Sequence, residues 1–319
     1  MSHRGFGFDR PVPSGGYQWW YVDAISDCGR HALTVIAFIG SVFSPYYHWS
    51  GRRQPENHIA FNVALYQAAG HIWAMTERGT ASLHRDQASL RIGPSGLTWS
   101  GGELVLDFKE TALPWPGQRI VPKAFSGQIR LTPEVTHDRE IVLDPEGRHL
   151  WWPVVPQARA ALECDLLPDG GWQGEGYHDQ NFGTQPLEKD FSRWDWARGR
   201  APDDTTLIVY DALSRSGAQT TLGFAFSPYA GIESFDPPPN TALPRGLWGV
   251  SGGVHCEEGY QPKRLKKLED TPFYTRSLVE TKLQGQTLNM MHESLDCRRL
   301  ANPLVRLMLP FRMPRQIFR

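Results

Sequence analysis

Residues 171 to 200 read GWQGEGYHDQNFGTQPLEKDFSRWDWARGR, and within them Tyr177, His178, Asp179, Gln180 and Asn181 set five proton-handling side chains in a row between glycines. Farther on, Asp195 stands between Trp194 and Trp196. In an extended strand both indoles take one face and the carboxylate the other. An acid able to donate a proton, set near aromatic faces that stabilise a cation, is what hydration of an apolar double bond needs. A structural reading competes for the same residues: Gly176 and Gly183 can frame a turn, and alternating Trp can fill a core.

Such side chains need strands to hold them. Tyr17 to Ile25 and His31 to Ile39 are aromatic and β-branched runs split by Ser26 to Arg30, which predicts a hairpin. Trp19 and Tyr21 share one face of the first strand and Trp20 and Val22 the other, so one set packs a core while the other can line a site. Residues 41 to 56 form a loop rich in Tyr46, Tyr47, His48 and Trp49, open to two readings, a lid or a loop packed by its own side chains. Strand-like runs follow at 59–67, 71–76, 81–92, 97–100, 104–110, 124–132 and 159–166. A second series occupies 205–214, 220–227, 247–254, 260–268, 271–283 and 286–295. Turn residues separate them throughout, which predicts an all-β chain of antiparallel barrels or sandwiches with two domains, 1–187 and 188–319.

Composition narrows the function. A formal net charge of −1 over 319 residues gives no global field for attracting phosphate, so nucleic acid is not an expected partner. Cys28, Cys164, Cys256 and Cys297 form no CxxC pair, which argues for free thiols in a reducing compartment and against a zinc ribbon. No glycine-rich nucleotide loop and no GxSxG elbow occurs, and His292-Glu293 fails as HExxH because position 296 is Asp. The expectation is chemistry without metal or cofactor, or no chemistry. The start of the chain lacks the apolar core of a signal peptide, and no run reaches the roughly 18 apolar residues of a spanning helix. A cytoplasmic protein is expected. Toward the end, Arg298, Arg299, Arg306, Arg312, Arg315 and Arg319 alternate with apolar residues and no acid, a pattern suited to an anionic, apolar surface. Pro303, Pro310 and Pro314 forbid one continuous helix there, leaving a membrane dip or a tail docked on the protein itself.

The segments GYHDQNFGTQPL, WDWARGR, VYDA, ALPRGLWGV, LEDTPFYTRSLV, HESLD and MLPFRMPR together resemble the carotenoid 1,2-hydratase family, the hydroxyneurosporene synthases. WWY, GYHD and WxW are similar to a wider lipocalin-like superfamily that includes cyclases. The resemblance implies two lipocalin-like antiparallel β-barrel domains in tandem. It also implies acyclic carotene substrates such as neurosporene or lycopene, whose terminal 1,2 double bond gains water without a cofactor. A polyene carrier and a cyclase on the same scaffold are the alternatives. Protonating a trisubstituted alkene leaves a tertiary cation, so the site needs a carboxylic acid kept protonated by burial.

Asp179 leads as that acid, with Asp195 next. His178 tunes or relays the proton, Tyr177, Trp194 and Trp196 lie near the cation, and Tyr210 and Asp211 help to place water. Trp19, Trp20, Tyr21, Asn181, Phe182 and Arg198 are expected to bind substrate. An acyclic C40 chain is about as long as the roughly 30 Å hydrocarbon core of a bilayer, so only an end group fits a barrel. Peripheral association with the inner membrane follows as an expectation, along with contacts to other carotenoid-pathway enzymes.

Overall fold

Strand β1 (Tyr17–Ser26) is aromatic or aliphatic almost throughout, and every residue in it is buried. A run without polar alternation is the mark of a strand covered on both faces. By contrast β8 (Glu103–Ala112) alternates almost strictly between buried and solvent-facing positions, as a strand with one wet face does. The computed structural model describes residues 6–67, 70–114, 121–167 and 169–316. It is built from antiparallel sheets, in agreement with the all-β expectation. The chain forms two compact units, one of Met1–Val142, Arg148–Pro186 and Met308–Arg319, the other of Leu143–Gly147 and Leu187–Leu307.

In unit 1, β1 is followed by β2 (Ala32–Ile39), β3 (Ile59–Gln67), β4 (Gly70–Arg78), β5 (Leu83–Arg85), β6 (Ser89–Ile92) and β7 (Ser95–Ser100). After β8 come β9 (Lys123–Val135), β10 (Ile141–Val142), β11 (His149–Cys164) and β12 (Gly171–Gly183). The strand order is β4-β3-β2-β1-β12-β11-β9-β8-β7-β6-β5, with β10 paired to β11. The Leu113 N–H just after β8 donates to the Trp73 carbonyl in β4, so the sheet curls on itself as a half-barrel. Trp20, Val22, Val35, Phe61, Leu106 and Ile129 lie in the core that it encloses.

Unit 2 contains β13 (Phe191–Arg200), β14 (Thr206–Ser214), β15 (Gln219–Ser227), β16 (Gly231–Ser234), β17 (Asn240–Ala242) and β18 (Gly253–His255). It ends with β19 (Lys263–Asp270), β20 (Tyr274–Leu283) and β21 (Gln286–Asp296). The main sheet runs β16-β15-β14-β13-β21-β20-β19. The two units share a plan. In each, the first strand lies between its own hairpin partner and the last long strand, β1 between β2 and β12, β13 between β14 and β21. These opening strands carry Trp19-Trp20-Tyr21 and Trp194-Asp195-Trp196.

Three stretches depart from the sequence expectation, the first being 81–92, which is not one strand but the antiparallel hairpin of β5 and β6 turned at residues 86–88. The run 247–254 is a strand only from Gly253, because Pro244, Gly246, Gly249 and Gly252 break the extended backbone before it. Conversely, 149–158 belongs to the long strand β11, although Pro153 and Pro156 read as breakers. The register of β11 against β12 shifts between Trp152 and Val155 and again between Val155 and Ala158, so these prolines sit at bulges, where no ladder N–H is needed.

Helices are short. In the loop at 41–56, α1 (Pro45–Trp49) is capped by Ser44, whose hydroxyl accepts from the Tyr47 N–H, and the buried Tyr47 hydroxyl donates to the Gly16 carbonyl at 2.8 Å. The Tyr47 side chain thus ties this loop to the segment that precedes β1. No helix of the described residues is long and apolar enough to cross a membrane.

The arginine-rich segment is docked through most of its cations. Glu77 N–H donates to the Pro314 carbonyl, Gln316 N–H donates to the Glu77 carbonyl, and the Arg315 guanidinium reaches the buried Glu77 carboxylate. Arg312 lies 4.3 Å over the Trp73 ring, Arg306 pairs with Glu188 at 2.6 Å, and Arg299 donates to the backbone carbonyl of Gly249 at 3.2 Å. Arg319 lies outside the described residues.

Candidate active site

Strand period sorts the GYHDQN residues onto two faces. Tyr177, Asp179 and Asn181 point one way, His178, Gln180 and Phe182 the other. In the β1–β12 register Tyr21 stands opposite Asp179 and Trp19 opposite Asn181, so both rings share the acid's face. On the other neighbour, Trp151 of β11 stands opposite Asn181 and His149 opposite Gly183. Three strands therefore converge on one carboxylate.

Asp179 is 4% exposed. Its Oδ2 accepts from Trp151 Nε1 at 2.9 Å and from the Tyr177 hydroxyl at 2.8 Å, while Asn181 Nδ2 is 3.5 Å from Oδ1. Burial, reinforced by the neighbouring Asp179 carboxylate when it is ionised, pushes the Tyr177 phenol well above its ordinary range, so Tyr177 remains a donor. Tyr21 and Tyr177 meet edge to face at 6.1 Å, and Trp19 stacks on Tyr17 at 4.9 Å. Beyond them the Tyr17 hydroxyl and His149 Nδ1 share a hydrogen bond of 2.8 Å. Gly183 makes room for that pair, since a Cβ there would lie 2.3 Å from the Tyr17 ring and 2.9 Å from His149 Nδ1.

The expected link between His178 and Asp179 is not formed. Adjacent residues in a strand face opposite ways, and the His178 ring enters the core of unit 1 beside Trp99, with centroids 6.4 Å apart. Its Nδ1 donates to the Tyr21 carbonyl, and burial lowers its pKa to about 4. Trp20 packs in the same core, and Phe182 lies under the Arg10 guanidinium at 3.6 Å. Of the residues expected from sequence, Asp179, Tyr177, Asn181, Trp19 and Tyr21 come together. His178, Trp20 and Phe182 do not join them.

The remaining candidates lie in unit 2. Trp194, Trp196, Arg198 and Tyr210 are buried on one face of β13 and β14, with Trp194 and Tyr210 centroids 5.4 Å apart. Asp195 and Asp211 are direct cross-strand partners on the opposite face. Asp195 is held by Arg193 at 2.5 Å and by the Ser294 hydroxyl; burial raises its pKa to about 6 against those partners. Asp211 accepts from His255 Nε2 at 2.6 Å and from Thr221 Oγ1 at 2.6 Å. Burial opposes its ionisation, but these donors outweigh it and hold the carboxyl below its ordinary value. His255 Nδ1 faces the Pro238 carbonyl, so both ring nitrogens donate. Burial disfavours the imidazolium, yet Asp211 and that carbonyl raise its pKa overall. A small cavity is lined by Asp195, Asp211, His255 and His292 with Val209 and Met290.

Trp151 and His149 escaped the reading of the sequence. The signal was present in HLWWPVVP, a Trp pair in a β-branched run much like YQWWYV, but the two prolines hid it. Among the described residues no group of His, Cys, Asp and Glu has the geometry of a metal site.

A family model, "Carotenoid hydratase CrtC", matches residues 35–319. The chain belongs to the carotenoid hydratase family. Within this family it is 48% identical over 316 residues to the acyclic carotenoid 1,2-hydratase of Thiocapsa roseopersicina, covering 98% of this chain and 76% of that one. To the enzyme of the same name from Rubrivivax gelatinosus it is 42% identical over 314 residues, covering 97% and 76%. The hydratase fold is also similar to the solved structure of a candidate AttH from Nitrosomonas europaea. That likeness has a TM-score of 0.56 at 14% identity, over 88% of this chain and 91% of the other.

Proposed function

We propose that the protein adds water across the terminal 1,2 double bond of an acyclic carotenoid such as neurosporene or lycopene, with Asp179 as the proton donor. The observation that carries this reading is the buried Asp179 carboxyl on an aromatic face, with Trp151 and Tyr177 both donating to one of its oxygens. Because those donors occupy Oδ2, the transferable proton sits on Oδ1. The alkene π pair takes that proton at C2, a tertiary cation forms at C1, and water attacks C1. The proton shed by water returns to the Asp179 carboxylate, which restores the acid with no other reactant. Each well-placed ring among Trp19, Tyr21 and Tyr177 contributes about 0.5–2 kcal/mol to the cation. Asp195 and Asp211, each held by a cationic partner in unit 2, take no part in this scheme.

The fold supports reading the chain as two lipocalin-like domains that change over near residue 187, with the segment from Met308 belonging to the first. A hydrocarbon substrate dissolved in a bilayer supports reading the enzyme as a peripheral protein of the inner membrane, on its cytoplasmic side. Incubation with lycopene in detergent and H₂¹⁸O tests the activity. A 1-hydroxy product carrying ¹⁸O is expected. Unchanged bound polyene would make the protein a carrier, and an isomer of unchanged mass would make it a cyclase.

A further inference from the structure

The segment ALPRGLWGV has no part in the chemistry above, yet it forms one of the most conspicuous surfaces of unit 2. Leu247 is 88% exposed and Trp248 44% exposed, side by side at the tip of the loop Pro244–Gly249. This tip is braced from below. The Asp270 carboxylate accepts from the Leu247 N–H at 2.6 Å, and the Arg299 guanidinium donates to the Trp248 and Gly249 carbonyls. Gly246 lies so close to this brace that a Cβ would be 2.3 Å from Asp270 Oδ2. A loop held this way presents its apolar tip without an ordering cost on binding.

The surroundings are basic. Arg264 of β19 donates to the Pro244 carbonyl and Lys267 pairs with Asp270 at 3.0 Å, so the KRLKK run of β19 adjoins the loop. Leu265, 49% exposed, projects from the middle of that run. Lys263, which pairs with Glu280 at 3.0 Å, and the half-buried Lys266 continue it, and Arg245 and Arg298 are exposed on the loop and on the short helix Cys297–Leu300. Apolar tips with an interfacial Trp, ringed by Lys and Arg, match the boundary between acyl chains and anionic headgroups. A second copy of the chain fits less well, because β19 ends its sheet and a row of cations there repels the same row on another molecule.

We propose that the Pro244–Gly249 loop and strand β19 form a preformed dock for an anionic lipid bilayer. The dock rests on the hydratase reading only for its purpose, which is to bring a hydrocarbon substrate within reach. It also moves the expected membrane contact from Arg306, Arg312 and Arg315 to a surface in which Arg298 is the one described member of the arginine-rich segment that faces the lipid.

The test is sedimentation of the full chain with phosphatidylcholine vesicles, with and without phosphatidylglycerol, and with no carotenoid present. Wild type should bind the anionic vesicles, and salt should weaken it. Leu247→Ser/Trp248→Ser should lower partitioning by about tenfold or more, a hydrophobic loss that salt does not restore. Arg245→Glu/Arg298→Glu should lower it on anionic vesicles. Both variants should keep wild-type hydration of detergent-dispersed substrate and wild-type circular dichroism. Vesicle binding unchanged in both variants would overturn the proposal, as would a wild type that binds no vesicles. A dimer in analytical ultracentrifugation that the variants dissociate would give the surface to a second copy instead. Because binding is read without substrate, loss of the hydratase reading leaves this result intact.

Discussion

Trp151 reaches diagonally across from β11 to Asp179 on β12, its indole Nε1 donating to Oδ2 at 2.9 Å beside the bulge that interrupts the two strands. A hydrogen bond to a carboxylate is worth about 1.5–3 kcal/mol, so Trp151→Phe should lower kcat by about 10- to 100-fold. Asp179→Asn should cost about 10²- to 10⁴-fold, the range of a lost general acid. Turnover of detergent-dispersed lycopene checks both, and activity retained in Asp179→Asn would move the donor elsewhere.

Gly183→Ala should disturb the Tyr17–His149 pair without touching Asp179, because the new methyl would fall inside the Tyr17 ring's contact distance. Overpacking of this kind costs about 1–3 kcal/mol. Denaturant unfolding should show the loss, and an unchanged midpoint would mean that Tyr17 can shift freely.

Which face each residue takes was legible from strand period alone, and that period already separates His178 from Asp179. Nearness in sequence had grouped them; alternation divides them. The hairpins were legible too, because turn residues mark them locally. What the sequence hid was the meeting of β1 with β12, where Tyr21 finds Asp179 across 158 positions of chain. No local signal specifies such a pairing. Trp151 was hidden for another reason, since Pro153 and Pro156 imitate the end of a strand that in fact bulges and continues.

In unit 2 the groups titrating below pH 6.5 oppose one another, since burial lowers the His292 pKa to about 4 and its contribution rises with pH where that of Asp195 falls, so the decline to look for is the one due to His255. Asp195 has a folded pKa raised to about 6 from 3.8, so folding binds its proton more tightly and stability declines as pH rises across that interval. His255 has a folded pKa raised above 6.5, so its contribution is full below that value and is lost as pH climbs through the raised one. Asp211, with a lowered pKa, contributes above 3.8 and loses that as pH falls through its lowered value. His255→Gln should therefore flatten the decline above pH 6.5, as followed by urea midpoints across pH.

Arg315→Ala should destabilise unit 1. Glu77 is fully buried and takes bonds from Ser44, His58 and Arg315, so removal of the guanidinium leaves a buried charge short of a partner, at a cost of about 3–5 kcal/mol. A thermal melt reads this directly. A wild-type melting point would make the segment dispensable to the first unit.

That contact also sets a timetable for synthesis. Glu77 and Arg315 are 238 positions apart, and the whole of β13 to β21 is made between them. At 5–20 residues per second, a nascent chain holds Glu77 without its arginine for about 10–50 s. During that interval Ser44 and His58 alone attend the acid, and the second unit has time to fold before the first is sealed.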